Sequence, residues 1–322
     1  MCGGSMCYRH HLTWPVSKSC RHSFGWYFPL IHSFKHATMR NFILVMFSIP
    51  LFQGVLNAQT PWTRNKAGFY VQTSWQSTPL YQTVFDASAP GNRRTLERAI
   101  RENSFQLLAE YGLSDKTTIW SATPFRFQYS GKSTGISTIP MLQQGRLNGL
   151  GNITLACRHR FSSGKVTITG QARLDFDSGK SSRITGLNSA YDAWSGSATL
   201  SIGQRSHTSG YWFVYGGAGW RGPLANSIVL GGGEAGLKFR QFFLAVMSDL
   251  SWRVGTKTYE VEAANKKTAL YAPDQSVWLL GGKAGFEMNR FYGFYLGAVV
   301  PQAGNQAARQ TSFLASMYFK WD

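Results

Sequence analysis

The sequence predicts an all-β protein, a single antiparallel transmembrane β-barrel of about twelve strands. Three observations predict this fold: segments of roughly ten residues in which apolar and polar residues alternate, connections that are alternately short and long, and a secretory signal upstream. Alternation with period two is typical of a strand with two different faces. An even number of such segments, with short turns at one end and long loops at the other, is typical of barrels in the outer membrane of Gram-negative bacteria.

The alternation is clearest in the hairpin formed by residues 150–176. One face of its second strand is apolar, and the other face carries Thr167, Thr169, Gln171, Arg173 and Asp175. A short turn at residues 162–164 joins this strand to the preceding strand. Because a charged face is unusual on a sheet that packs against a protein core, we expect the polar face to look into water or into a wet barrel lumen.

A secretory signal peptide is predicted at residues 39–58. Met39 and Arg40 precede an apolar run at residues 42–52, and small residues lead to Ala58. A basic start, a short apolar run and a small residue at the cleavage site are typical of a signal peptide. The run is shorter than the roughly 20 apolar residues of a spanning helix, although a helical anchor remains the alternative. The mature chain is then expected to begin at Gln59.

Residues 1–38 precede this signal and are therefore predicted to be a spurious or disordered extension. The alternative is a metal-binding arm, since the segment contains potential ligands: Cys2, Cys7, His10, His11, Cys20 and His22. Their spacing matches no structural zinc site. We therefore predict no metal and no cofactor. The predicted organisation is an extension at 1–38, a signal peptide at 39–58 and an outer-membrane barrel at 59–322.

The chain is strongly basic, with 33 Lys and Arg against 15 Asp and Glu and a formal net charge of +18. Removing residues 1–58 removes five bases and no acid, which leaves 33 − 5 = 28 bases, 15 acids and a charge of +13. Such a charge suits nucleic acid or an anionic membrane surface. Because the bases are spread along the chain, we predict contact with outer-membrane lipid and lipopolysaccharide, a cell outer-membrane location and no nucleic-acid partner. Cys157 alone remains, so no internal disulfide is expected.

Twelve alternating segments are predicted at 67–75, 102–111, 116–128, 149–161, 165–176, 194–206, 209–221, 227–240, 241–254, 275–288, 291–301 and 309–321. Long loops are predicted at 76–101, 129–148, 177–193 and 255–274, with a short helix at 93–101 inside the first. The remaining links are short or, at 222–226 and 302–308, intermediate. In a barrel the short turns and both termini face the periplasm, and the long loops face outward.

One row of each segment is apolar and often ends in an aromatic residue, as in Phe242, Leu244, Val246, Leu250 and Trp252. These rows suit lipid, with interfacial aromatic girdles; the alternative is the core of a soluble β-sandwich. The opposite rows supply the candidate lumen-lining residues: Arg126, Arg158, Arg160, Arg173, Asp175, Arg205, Glu234, Lys238, Asp249, Arg253, Lys283 and Glu287. Eight of these are basic and four acidic. An excess of bases favours anionic permeants, unless the charges pair across strands and plug the lumen.

Several short motifs resemble a known family: LAEYGLS at 108–114 followed by Pro124, GLGNI at 149–153, RHRF at 158–161, and GYW at 210–212 followed by Tyr215 and Gly219. Together they resemble the outer-membrane transporters of the meta-pathway of phenol degradation, over most of residues 102–254. The resemblance implies a β-barrel that passes small aromatic or apolar compounds. The chain departs from the family at Asp177, Ser178 and Gly179, where a proline-threonine-glycine stretch is common, and no site residue carries over.

Three functions are compatible with the sequence. The first is a channel or transporter for small molecules, either aromatic or apolar compounds or anions. The second is a structural or adhesive barrel with a plugged lumen. The third is a lipid-modifying enzyme, since His207, Thr208 and Ser209 have the His-x-Ser spacing of a base and nucleophile on one strand face. The predicted topology places this triplet in a periplasmic turn, so we predict no catalytic residue and no enzyme.

Overall fold

The computed structural model describes residues 60–136, 141–206, 210–222, 226–255, 263–272 and 274–321. These ranges belong to one compact unit, Leu51–Asp322. Within them, no helix has both the length and the apolar character needed to cross a membrane. The predicted extension at 1–38 and signal peptide at 39–58 lie outside the described residues and stay predictions.

Strands dominate the described chain. They are β1 (Phe69–Phe85), β2 (Arg94–Ser114), β3 (Thr117–Ser133), β4 (Gly145–Leu150), β5 (Ile153–Ser163), β6 (Thr167–Phe176), β7 (Ser195–Arg205), β8 (Gly210–Arg221), β9 (Asn226–Phe239), β10 (Phe242–Val254), β11 (Ser276–Glu287), β12 (Tyr292–Asn305), β13 (Ala307–Ala308) and β14 (Ser312–Trp321). A 3₁₀ turn at Pro90–Asn92 and the short helix α1 at Ala263–Thr268 interrupt the loops.

The sheet is antiparallel and closes on itself. Strand β1 pairs with β14 on one side and with β2 on the other, so the first and last long strands are joined and neither β1 nor β14 forms a sheet edge. Strands β4 and β5 both pair with β3 and share one place in the wall, and the two residues of β13 only extend the pairing of β1. The wall therefore has twelve places, and the predicted all-β barrel is confirmed. Closure satisfies the edge hydrogen bonds that a membrane could not.

The break between β4 and β5 lies opposite Pro124, which has no backbone N–H to offer. There the N–H of Gly151 donates to the Pro124 carbonyl at 2.8 Å. Asn152 lies between the two strands and belongs to neither. Its side-chain Nδ2 donates to the carbonyls of Phe176 and Tyr191, both at 3.1 Å. Its Oδ1 accepts from the Tyr191 N–H at 2.8 Å. Asn152 therefore fixes the loop between β6 and β7 against the wall.

The prediction of a loop at 76–101 with a helix at 93–101 is wrong. Strand β1 continues to Phe85, and β2 begins at Arg94, so this stretch forms a wall that is longer than the other hairpins. Leu96 and Ile100 are four residues apart, a spacing that also fits one face of a helix. These residues form a strand because β2 pairs with β1 on one side and with β3 on the other. Likewise, the predicted loop at 129–148 contains the end of β3 and the start of β4, and β12 and β13 extend into 302–308.

The barrel has two distinct ends. The short connections after β2, β5, β7, β9 and β11 lie at the end that also holds Phe69 and Trp321, which pair with each other. This end is called the turn end. The longer connections lie at the opposite end, called the loop end. This arrangement agrees with the predicted alternation of short and long links.

An apolar belt surrounds the wall. The alternate side chains Phe242, Val246 and Trp252 of β10 are all at least 40% exposed, as predicted for a lipid-facing row. Exposed aromatic residues ring the turn end at Phe69, Tyr111, Phe242, Tyr292 and Trp321, and exposed tryptophans ring the loop end at Trp194, Trp220, Trp252 and Trp278. Ten residues of tilted strand separate Phe242 from Trp252 and cover roughly 25 Å, the height of the apolar band in outer-membrane barrels.

The facing of β10 makes a direct prediction. Val246 lies midway between the two aromatic girdles on the outer surface, whereas Ser251 on the same strand lines the interior. A Val246→Lys substitution is expected to destabilise the folded barrel by about 2–4 kcal/mol, because the charge lies in the hydrocarbon. Ser251→Lys is the control and is expected to cost about 1 kcal/mol or less. Urea unfolding in lipid vesicles measures both, and equal losses would contradict the assigned faces.

Candidate functional site

The lumen is filled at its turn end by residues 60–66, which precede β1 and are called the inner segment. Its principal anchor is Arg158 on β5, which is only 1% exposed. The Arg158 Nη1 donates to the Trp62 carbonyl oxygen at 2.9 Å, while Nε and Nη2 each donate to the Gln171 Oε1 at 3.1 Å. The Trp120 indole N–H shares the same Gln171 acceptor at 3.0 Å. The inner segment is thus bound to the wall through a buried guanidinium.

Glu110 on β2 lies between two guanidinium groups and balances part of their charge. Its Oε2 accepts from the Arg64 Nε at 2.7 Å, and its Oε1 lies 3.6 Å from the Arg158 Nη1. The Arg64 guanidinium also lies over the Tyr70 ring, 4.6 Å from its centroid. The side chain of Glu110 is 3% exposed. Charge-assisted hydrogen bonds of this kind are strong when water is excluded, so this cluster ties Arg64 of the inner segment to β2 and β5.

Aromatic contacts hold the inner segment against a further part of the wall, formed by β7 and β8. The Trp62 ring meets Tyr211 and Phe213 edge to face, with centroids 5.9 and 5.5 Å apart. The Arg205 guanidinium lies 5.0 Å from the centre of the same ring. Edge-to-face pairs and cation–π contacts each add modestly to burial. Trp62 therefore connects the inner segment to β7 and β8, which lie two and three places along the wall from β5.

Further acids of the lumen are paired with neighbouring donors. The Lys283 Nζ donates to the Glu234 Oε2 at 2.8 Å, and the Tyr211 hydroxyl donates to the other oxygen of that carboxylate. The Tyr215 hydroxyl donates to the Asp249 Oδ1 at 2.5 Å. These pairs lie on the walls formed by β8, β9, β10 and β11. The predicted excess of lumen bases is therefore partly neutralised by cross-strand pairing.

Asp175 is the centre of a second polar cluster, on β6. Its Oδ1 accepts from the Arg173 Nε at 2.8 Å and from the Thr154 hydroxyl at 2.5 Å. Its Oδ2 accepts from the Ser195 hydroxyl at 2.9 Å. The buried carboxylate is satisfied on both oxygens, as burial requires.

A cavity of about 300 Å³ lies above the inner segment. Apolar side chains form part of its wall: Leu108, Trp120, Ile228, Leu230 and Leu279. Six charged side chains also line it: Glu102, Arg126, Arg173, Asp175, Arg221 and Asp249. Three of these are arginines and three are acids, so their formal charge sums to zero. The cavity therefore joins an apolar surface to a balanced set of polar groups.

Two loops cover the cavity toward the loop end. The Tyr271 hydroxyl donates to Glu102 Oε1, and the Arg126 guanidinium stacks 3.6 Å from the centre of the Tyr271 ring. Tyr191, from the loop between β6 and β7, meets Tyr271 edge to face. Behind these groups is a buried apolar cluster of Tyr81, Val84, Leu96, Ile100, Leu187, Ala269 and Leu270. The loops are therefore packed onto the elongated wall of β1 and β2.

Asp177 lies in the first of these loops, just after β6. Burial of the Asp177 carboxyl and the nearby Asp192 carboxylate raise the pKa of Asp177 above its ordinary value. Deprotonation of Asp177 is therefore less favourable than deprotonation of a carboxyl group in water.

The predicted lumen residues fall into four groups. Arg126, Arg173, Asp175 and Asp249 line the cavity; Arg158 and Arg205 hold the inner segment; Glu234 and Lys283 pair on the wall; and Arg160, Lys238, Glu287 and Arg253 lie near the barrel ends. The Arg160 Nη2 donates to the Asp115 carbonyl at 2.7 Å, and Arg253 lies 3.9 Å from Asp274. Glu287 accepts hydrogen bonds from Lys238 and Lys320.

Several residues of the site were missed from the sequence. Trp62 and Arg64 lie in a stretch without periodicity, and Tyr191 and Tyr271 lie in predicted loops. Glu102 was the first residue of a predicted strand, and its partner Arg126 is distant in sequence. A hint was available in the inner segment itself, where a tryptophan and an arginine follow directly on the predicted cleavage site.

The proposed base and nucleophile, His207 and Ser209, lie outside the described residues. Within the part of the chain that is described, no cluster of three or more His, Cys, Asp or Glu side chains could hold a metal ion.

A closed wall, an apolar belt between two aromatic girdles and a polar interior define a transmembrane β-barrel of the outer-membrane kind. No family model and no curated protein sequence matches the chain. Among solved structures, the COG4313 outer membrane channel from Pseudomonas putida F1 is similar at a TM-score of 0.61 and 11% identity, over 83% of this chain and 100% of that chain. This similarity supports the same barrel fold.

Two other solved barrels are more distant in shape. The NanC porin has a TM-score of 0.46 at 8% identity, over 79% of this chain and 100% of that chain. The CymD monoaromatic hydrocarbon channel has a TM-score of 0.40 at 8% identity, over 79% of this chain and 88% of that chain.

The cluster around Glu110 makes a stability prediction. Glu110→Gln removes the carboxylate that Arg64 and the buried Arg158 share, so the barrel is expected to lose about 3 kcal/mol. Glu287→Gln is the control, because the Glu287 side chain is 19% exposed and its two lysine partners lie nearer to water. This control is expected to cost about 1 kcal/mol. Urea unfolding in vesicles measures both variants, and a smaller loss for Glu110→Gln than for Glu287→Gln would contradict the account.

Proposed function

We propose that the protein is an outer-membrane channel for small molecules, closed at rest by the inner segment. In this proposal the turn end faces the periplasm, and the wall is surrounded by outer-membrane lipid and lipopolysaccharide. The observation that carries the proposal is the 300 Å³ cavity inside the closed wall. A barrel with a purely structural role has no need of such a space, since its lumen could be filled by side chains.

The inner segment is suited to move because it is not part of the sheet. It precedes β1, so its release breaks none of the strand pairing that closes the barrel. Its anchors are the Arg158 and Glu110 cluster and the Trp62 ring contacts with β8. Leaving the lumen would expose Arg158 and Glu110 to water, which solvates both charges. The segment therefore acts as a gate in this proposal, and the wall stays intact.

The cavity lining favours small neutral permeants that have an apolar part. Its charged groups sum to zero, and its apolar lining includes Leu108, Trp120 and Leu279. An apolar cavity of roughly 150 Å³ admits benzene, so a substituted single ring fits within the present volume. The proposal therefore places such rings ahead of anions, in keeping with the family that the sequence resembles.

The second candidate is a structural barrel with a permanently plugged lumen. The observation that favours this candidate is that both the inner segment and the two loops of the loop end cover the cavity. Under this alternative, weakening the inner segment lowers stability without opening a path for solutes. The two candidates therefore differ in transport measurements on the same variants.

The decisive test weakens one anchor of the gate. Trp62→Ala removes the ring contacts with Tyr211 and Phe213, which contribute about 1.5 kcal/mol for a half-buried side chain. The open population, and with it the rate of vesicle swelling in a dihydroxybenzene solution, is expected to rise about tenfold. Trp212→Ala is the matched control, because Trp212 is the neighbouring tryptophan on the outer face of β8. This control is expected to leave the rate unchanged.

The same vesicles, compared with protein-free vesicles, separate the alternatives. Faster entry of benzoate than of the dihydroxybenzene would favour the anion channel and contradict the neutral permeant. No entry of either solute through Trp62→Ala, with the barrel folded, would favour the plugged structural barrel.

A further inference from the structure

A row of cationic and aromatic side chains crosses the outer surface of β2, β3 and β4 near the loop end. Arg101 pairs with Tyr129, and Tyr129 pairs with Arg146. Residues directly opposite each other in an antiparallel sheet point to the same face. Arg101 and Arg146 are exposed, and so is Phe127, two residues before Tyr129 on β3. The row, called the Arg-Tyr-Arg row, therefore lies on the outer face of the barrel.

The position of this row along the barrel axis follows from a comparison with the apolar belt. Arg101 lies ten residues from Tyr111 on β2, and Trp252 lies ten residues from Phe242 on β10. Tyr111 and Phe242 both belong to the turn-end girdle. Arg101 is therefore level with the loop-end tryptophans, where the hydrocarbon meets the headgroups. On this side of the barrel, two arginines therefore flank Tyr129 at the level of the girdle.

The belt continues directly beneath the row. One step toward the turn end, Asn103, Phe127 and Asn148 form the next outward row, and Phe105, Phe125 and Leu150 form the row after that. Phe105, Phe125 and Phe127 are each at least 36% exposed. A molecule bound at the two arginines would thus have an apolar surface available just below its charged part.

Local contacts arrange the row. The Arg146 guanidinium lies 5.7 Å from the centre of the Tyr129 ring, and the Gln144 Nε2 donates to the Tyr129 hydroxyl at 2.8 Å. Gly131 lies in a bulge beside the row, where an added Cβ would approach the Tyr129 ring to 3.2 Å. Two strand spacings separate Arg101 from Arg146, roughly 10 Å. The exposed Lys132 adds a third base nearby.

The charges of the row are not neutralised by neighbouring carboxylates. Among the described residues, no salt bridge to Arg101 or Arg146 is formed. The adjacent Glu102 points into the lumen, where it receives the Tyr271 hydroxyl. In the described part of the chain, no carboxylate therefore neutralises these two exposed guanidinium groups at the headgroup level.

We propose that the Arg-Tyr-Arg row binds the phosphorylated headgroup of an outer-leaflet glycolipid, one phosphate at each arginine, with its acyl chains on the phenylalanine surface below. Guanidinium groups match phosphate oxygens in bidentate geometry. A free phosphate ion would use the same charges but would gain nothing from the apolar surface. The inference rests on the proposed orientation, with the loop end outward, and is independent of what passes through the lumen.

The test compares lipids on the folded protein by native mass spectrometry in detergent. Bisphosphorylated lipid A is expected to bind, its dephosphorylated form to bind more weakly, and inorganic phosphate not to compete. The double variant Arg101→Gln/Arg146→Gln is expected to bind the bisphosphorylated lipid about 30-fold more weakly, since each base near an anionic surface contributes roughly fivefold. The matched control, Lys116→Gln/Lys165→Gln, removes the same charge from exposed turns at the turn end and is expected to bind as the parent protein does.

Three results would overturn the proposal. They are equal binding of phosphorylated and dephosphorylated lipid by the parent protein, equal weakening in both double variants, and displacement of the lipid by inorganic phosphate. The first comparison needs no variant, so it decides the question even if a substitution prevents folding. Vesicle swelling through the Arg101→Gln/Arg146→Gln barrel is expected to match the parent, which separates failure of this proposal from failure of the channel proposal.

Discussion

The arrangement of the barrel interior depends on how the protein pairs one buried charge, the guanidinium of Arg158. A guanidinium carries five N–H donors, and leaving them unpaired out of water is costly. Glu110 and Gln171 satisfy part of the group from the wall, and the Trp62 carbonyl supplies an acceptor from outside the sheet. The fold therefore draws the inner segment into the lumen. Arg64 then follows to the second oxygen of Glu110.

Pairing governs the rest of the lumen in the same way. Many strands place charged residues on the inner face, and opposite charges from different strands meet there, as in Lys283 of β11 with Glu234 of β9. The result is local neutrality and not the basic surface that a count of residues indicates. The cavity remains where the polar clusters of β6 and β10 stand apart and apolar residues such as Leu108 and Leu279 face the space. Shape and charge of the lumen thus follow from closure.

The sequence was sufficient to predict the parts of the strands that the membrane constrains. Alternation with period two predicted the strands of the belt, because each residue there must suit either lipid or the lumen. Beyond the belt this constraint ends, so the sequence predicts a loop with a short helix at 93–101 where the structure has the far parts of β1 and β2. The partners of Arg158 and Arg126 could not be predicted, because Trp62 and Tyr271 reach them through closure and loop packing, which leave no periodic pattern.

The central claim is that the inner segment closes the turn end and must leave for solutes to pass. The Thr63 hydroxyl donates to the Asp115 carbonyl oxygen at 3.2 Å, in the turn between β2 and β3, so a Thr63→Cys/Asp115→Cys pair is chosen to cross-link the inner segment to this turn. In a background whose other cysteines are serine, single-channel conductance is measured before and after reduction. The account predicts closed channels in the oxidised protein and conductance that appears on reduction. Equal conductance in both states would contradict it.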